Sequence, residues 1–85
     1  MELNVLYFAW LRAKVGVVAE SVEPPATVET VGDLIEWLKQ RGPGHADAFS
    51  DLTIVRAALD QEFAQMDAPL AGTREVAFFP PVTGG

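Results

Sequence analysis

The group in this sequence best placed to do chemistry is its last one. After Phe79 the chain reads Pro80-Pro81-Val82-Thr83-Gly84-Gly85. Two prolines enforce an extended course and two glycines carry no side chain, so residues 80–85 are expected to project as a thin, flexible arm reaching about 20 Å. Gly-Gly lets backbone enter a channel where any Cβ would collide. The Gly85 α-carboxylate sits on the least hindered acyl carbon a protein has; it is a handle rather than a catalyst. A carboxylate is inert at neutral pH and needs activation, most economically as an acyl-adenylate made by an ATP-dependent enzyme. Attack by sulfur then leaves a thiocarboxylate, a ready sulfur donor; attack by an amine leaves an amide link to another protein. At ordinary glycine usage about one chain in 200 ends in Gly-Gly by chance, so the dipeptide gains its meaning from what precedes it.

Other chemistries find little support. The chain has no cysteine, which excludes a disulfide framework, a thiolate zinc site, an iron–sulfur cluster and a cysteine nucleophile. His45 is the one histidine, without a second ligand at metal spacing, and is expected at the surface. No catalytic triad, phosphate-cradling glycine loop or metal motif occurs. Twelve acidic against six basic residues give a formal charge of −6, which works against nucleic acid and anionic lipid. The basic residues (Arg12, Lys14, Lys39, Arg41, Arg56, Arg74) are scattered and form no stripe. Asp47, Asp51, Glu62 and Asp67 are expected to form a solvated acidic surface that steers a basic partner. The longest apolar run, residues 5–11, is too short to span a bilayer and no export segment opens the chain, so a cytoplasmic location is expected.

The elements that must carry the arm follow from periodicity. Residues 3–10, LNVLYFAW, are dense in β-branched and aromatic side chains and predict a first strand. A weaker strand begins near Val17 and is stopped by Pro24 and Pro25, with a hairpin expected around residues 11–16. Val31, Leu34, Ile35 and Leu38 fall at i, i+3, i+4 and i+7, predicting an amphipathic helix over residues 31–41. Thr30 is its N-cap, Asp33 favours its dipole, and Gly42-Pro43 stops it. A short helical turn is expected near residues 45–49. Residues 54–59 read as a strand with Val55, Ala57 and Leu59 on one face and Arg56 on the other; Asp60-Gln61-Glu62 then turns into Phe63. Residues 75–79 are the last strand. The order predicts one α+β domain of 85 residues, with one main helix packed across one face of one sheet.

Such a sheet has a second face. In the first strand Leu3, Val5 and Tyr7 point one way and Leu6, Phe8 and Trp10 the other; in the last, Val76 and Phe78 oppose Ala77 and Phe79. Both sets are apolar, and one helix covers one face. Two or three aromatics left bare make a patch of a few hundred Å², the size that commonly marks an interaction site. A partner protein is therefore expected there, the alternative being that Phe8 and Trp10 lie under a local loop and extend the core.

With these features in place, VLYFAWLR (5–12), TVGDLIEWL (30–38), DQEF (60–63) and above all EVAFFPPVTGG (75–85) resemble the small subunits of molybdopterin synthase, the MoaD family, over nearly the whole chain. The resemblance implies a ubiquitin-like β-grasp domain over residues 1–79, with a mixed sheet, and a tail over residues 80–85. It implies that an E1-like adenylyltransferase uses ATP to activate Gly85 and that the tail becomes a thiocarboxylate. The tail then enters the large synthase subunit, expected in a heterotetramer of two small and two large chains, and gives sulfur to cyclic pyranopterin monophosphate. No cofactor is expected on this chain itself. By matching positions Phe8, Phe63 and Phe79 are the apolar docking contacts, Phe63 by resemblance only, with Pro80, Pro81, Val82 and Thr83 lining the way to Gly84 and Gly85. A protein modifier joined through Gly85, a sulfur carrier of the thiamine pathway and a plain interaction domain are the alternatives. Two positions depart from the family: Asp60 stands where Asn is commoner, with little consequence expected, and Gly72-Thr73-Arg74 replaces a glycine-acid turn, placing a positive charge near the expected sheet edge.

Overall fold

The computed structural model describes residues 1–81; Val82, Thr83, Gly84 and Gly85 of the expected tail lie outside the described residues. A five-stranded mixed sheet is built from β1 (Leu3–Tyr7), β2 (Ala19–Val22), β3 (Arg56–Leu59), β4 (Glu62–Ala64) and β5 (Glu75–Phe79), in the spatial order β2-β1-β5-β3-β4. The first and last strands are its parallel pair, with Tyr7 aligned to Phe78, and every other neighbour is antiparallel. The expected α+β β-grasp architecture is thus present, with the final strand at its centre.

The main helix, α2 (Val31–Lys39), packs Val31, Leu34, Ile35 and Leu38 into the core. Thr30 Oγ1 accepts from the Asp33 N–H at 3.1 Å and Asp33 Oδ2 accepts from the Thr30 N–H at 3.2 Å, a reciprocal cap that satisfies two otherwise orphaned donors. The helix ends two residues before the expected Arg41. Gly42 and Pro43 open the next helix, α3 (Pro43–Ala48), as well as closing this one. Proline suits that first position because its missing N–H would have no partner there.

Five expectations change. The first strand stops at Tyr7 rather than Trp10, and the residues expected to form a hairpin turn form a short helix instead, α1 (Trp10–Val15). The break is made at Ala9, whose φ of 56° and ψ of −133° lie where L-residues are strained. Trp10 consequently leaves the strand alternation and packs against the core rather than standing on the open face. Residues 52–54 wind into a 3₁₀ turn capped by Asp51, so β3 starts at Arg56. Arg74 precedes a central strand, not an edge one.

The core lies on one side of the sheet. Leu3, Val5, Tyr7, Val76 and Phe78 face α2 together with Leu11 of α1 and Phe49 just after α3. Tyr7, Phe49 and Phe78 form a ring cluster with the Phe49 and Phe78 centroids 4.9 Å apart at 76°, the edge-to-face geometry that suits aromatic quadrupoles. The α3 helix is seated on α1 so closely that a Cβ on Gly44 would collide with the Lys14 carbonyl oxygen.

Candidate functional site: an open aromatic face beside the chain's last strand

The side chains that alternate with the core set make the other face. Strand register aligns Leu6 with Ala77, Ala77 with Ala58 and Ala58 with Phe63, so one apolar row crosses β1, β5, β3 and β4. The two central alanines are short and leave a shallow floor. Phe63 rises from the edge strand with 82% of its surface exposed. In the next row Phe79 stands opposite Arg56. Phe8 lies alongside, its N–H donating to the Phe78 carbonyl at 3.0 Å, and is 48% exposed. The Phe63 and Phe79 rings lean together with centroids 5.7 Å apart. With Arg56 and Ala64 they bound a depression of about 230 Å³.

Phe63, which strand parity alone did not place, stands directly against Phe79, while Phe8 lies just past the end of the neighbouring strand β1. The half-buried Pro80 and Pro81 follow at that end without regular structure. Val82, Thr83, Gly84 and Gly85 fall outside the described residues.

The hairpin that presents Phe63 is a tight one. Asp60 and Gln61 both take positive φ, 48° and 73°, which matches the right-handed twist of the two strands they join. The Asp60 carboxylate also reaches the neck of β5: its Oδ1 accepts from the N–H groups of Arg74 at 3.1 Å and Glu75 at 2.9 Å. The two shorter bonds end on one oxygen, so an Asn carbonyl could make both; the second carboxylate oxygen adds a longer contact to the Arg74 N–H at 3.4 Å.

Sequence reasoning missed a polar cluster on the covered face. His45 is not a surface residue: its Nε2 lies 2.7 Å from Glu20 Oε2, its side chain is 14% exposed and its ring stands edge-on to Tyr7. The same Glu20 oxygen accepts from the Tyr7 hydroxyl at 2.7 Å, and Arg41 pairs with Oε1 at 3.4 Å. Burial alone would raise the Glu20 carboxyl. The hydrogen bonds from His45 and Tyr7, with the charges of His45 and Arg41, outweigh it and hold the group below its ordinary value. Burial first, then the bond to Glu20 and its charge, pushes the Tyr7 phenol well above its usual range. This cluster ties α3 and the end of α2 to β1 and β2. No local pattern signals it, because its members are separated by up to 38 residues in sequence; the alternation of β2 was the available clue, since Glu20 pairs with Val5 and so faces the core.

Among the described residues no group of three or more His, Cys, Asp or Glu side chains is placed to hold a metal ion, and no helix is long and apolar enough to cross a membrane.

The comparisons with known proteins agree with this geometry. The ThiS family profile matches residues 5–85. The molybdopterin synthase sulfur carrier subunit of Escherichia coli is 39% identical over 83 residues, covering 98% of this chain and 99% of the relative. That of Haemophilus influenzae is 39% identical over 84 residues, with the same coverage. The crystal structure of SAMP1 from Haloferax volcanii superimposes with a TM-score of 0.76 at 27% identity, covering 100% of both chains; its name abbreviates small archaeal modifier protein 1. With the family profile running from the first strand through the final glycine, and near-complete alignment to two curated carriers, the chain belongs to the ThiS family and, within it, to the sulfur carrier subunits of molybdopterin synthase that serve molybdenum cofactor biosynthesis.

Proposed function

We propose that the carrier holds its sulfur as a thiocarboxylate on Gly85, and that residues 80–85 act as a delivery arm on a docking domain of residues 1–79. The Gly85 carboxylate attacks the α-phosphate of ATP in an E1-like adenylyltransferase, releasing pyrophosphate and forming an acyl-adenylate. Hydrosulfide then attacks the acyl carbon, the bond to AMP breaks, and the thiocarboxylate is left. The arm enters the active site of the large synthase subunit, in a heterotetramer of two small and two large chains, and sulfur passes to cyclic pyranopterin monophosphate. This chain contributes no catalytic side chain and binds no cofactor; ATP is a substrate of the activating enzyme.

The observation that carries this reading is the join between face and arm. The docking aromatics Phe63 and Phe79 touch at the end of β5 from which the arm departs, so a protein seated on them lies within reach of six extended residues, about 20 Å. Mass spectrometry of the carrier isolated from cells holding the activating enzyme tests it. A fraction heavier by the exchange of one oxygen for sulfur, abolished by deletion of Gly85, is expected; its reproducible absence overturns the reading. The likeness to a small archaeal modifier protein favours a second reading, conjugation through Gly85 to lysines. Branched peptides bearing this tail would support it.

A further inference from the structure

The proposed docking face carries a positive charge, Arg56, close beside its aromatic side chains. Arg56 stands opposite Phe79 in the β3–β5 register and lines two adjoining depressions, sharing each with Ala64. Phe63 and Phe79 bound one of them; Leu52, Val55 and Met66 bound the other, with Gln65 and Asp67 at its polar side. The side chain does not sweep freely. Its Nη1 donates to the Thr53 carbonyl at 3.1 Å and the Val55 carbonyl at 3.0 Å, which uses both hydrogens of that nitrogen. No described acidic group lies within ion-pair distance of it, whereas Lys14, Lys39 and Arg41 each have one. The Nε–Nη2 edge is therefore held in a fixed orientation with its two donors unspent. That is the edge a carboxylate takes in a bidentate pair.

Building on the docking reading above, we propose that Arg56 receives a carboxylate from the partner protein. The matching surface is an Asp or Glu flanked by an apolar side chain that fills the depression between Phe63 and Phe79. Continuity with the aromatic face and the charge complementarity of a fixed guanidinium both argue for this occupant. An acidic protein, of net charge −6, that presents a cation at its apolar contact also rejects partners lacking the acid there, because an unmatched guanidinium would be desolvated without compensation.

The test is calorimetric binding of the full-length carrier to its large synthase subunit, with Arg56→Glu, Arg56→Lys, Arg56→Leu and Phe79→Ala as variants. Arg56→Glu is expected to weaken binding by about 30-fold or more and Arg56→Leu by about tenfold, with Arg56→Lys between wild type and Leu because it keeps the charge but loses the fork. Charge reversal of one Asp or Glu on the partner should restore binding to Arg56→Glu and weaken binding to the wild type. The inference is overturned if Arg56→Glu binds as wild type does while Phe79→Ala does not, or if no partner acid restores it. If Phe79→Ala also binds normally, the docking reading itself fails. Thermal unfolding of each variant separates this role from the local one: a merely structural Arg56 would lower the melting temperature and leave no partner acid able to compensate.

Discussion

Phe78 and Phe79 are adjacent, chemically identical and on the same strand, yet one is fully buried in the ring cluster with Tyr7 and Phe49 and the other is left half-bare beside Phe63. The two faces of the sheet differ less in apolarity than in cover. Three helices bring Leu11, Leu34, Ile35, Leu38 and Ala48 over one face, while the short side chains of Ala58 and Ala77 floor the other. Large side chains that fold the molecule and large side chains left open on the other face are thus interleaved at period two, and a one-residue shift of register would exchange them.

Five perturbations sharpen or break that contrast. The largest effect is expected beyond both faces: Gly85→Ala, or one residue added after Gly85, should abolish sulfur transfer in a reconstituted synthase assay. The melting temperature should hold, since the core is built from residues 3–78. Next comes Phe78→Ala, expected to lose about 3–5 kcal/mol of stability in denaturant titrations by opening a cavity. Phe79→Ala should lose under about 1 kcal/mol of stability but about 1–3 kcal/mol of affinity for the large subunit. Equal stability losses at the two positions would show that the faces are not distinct.

Glu20→Gln tests the polar seam of the covered face and should lose about 1–2 kcal/mol near neutral pH. Because the folded-state value of Glu20 is lowered, its contribution is present above the ordinary carboxylate range and is lost as pH falls through the lowered value. Unfolding free energy measured against pH should therefore decline less steeply in acid for Glu20→Gln than for the wild type. The smallest effect belongs to the hairpin under the open face: Gln61→Gly should gain about 0.5–1 kcal/mol, because glycine takes the positive φ there at no steric cost.

Local rules made much of this fold legible. The spacing of Val31, Leu34, Ile35 and Leu38 with the Thr30 cap predicts α2, and β5 falls on residues 75–79 as alternation predicts. Strand parity also separates Phe8 and Phe79 from Tyr7 and Phe78. What local rules cannot carry is a continuous apolar run broken at an alanine: nothing in LNVLYFAW marks Ala9 as the residue that takes positive φ, so alternation alone puts Trp10 on the wrong face. The seam between Glu20 and His45 was equally invisible, since a contact across 25 residues leaves no period in the sequence. Arg56 on the outer face was legible; its fixed guanidinium between two hollows required the coordinates.

The placement of β5 has a consequence for biosynthesis. The β1–β2 and β3–β4 hairpins share no ladder except through that strand, so a ribosome must deliver residues 75–79 before the two halves can be joined. A nascent chain that stops short leaves two unjoined hairpins with exposed edges, the kind of species that cellular proteases clear. Completion of the sheet therefore waits on the last strand, and the described chain leaves the fold from the end of its central strand.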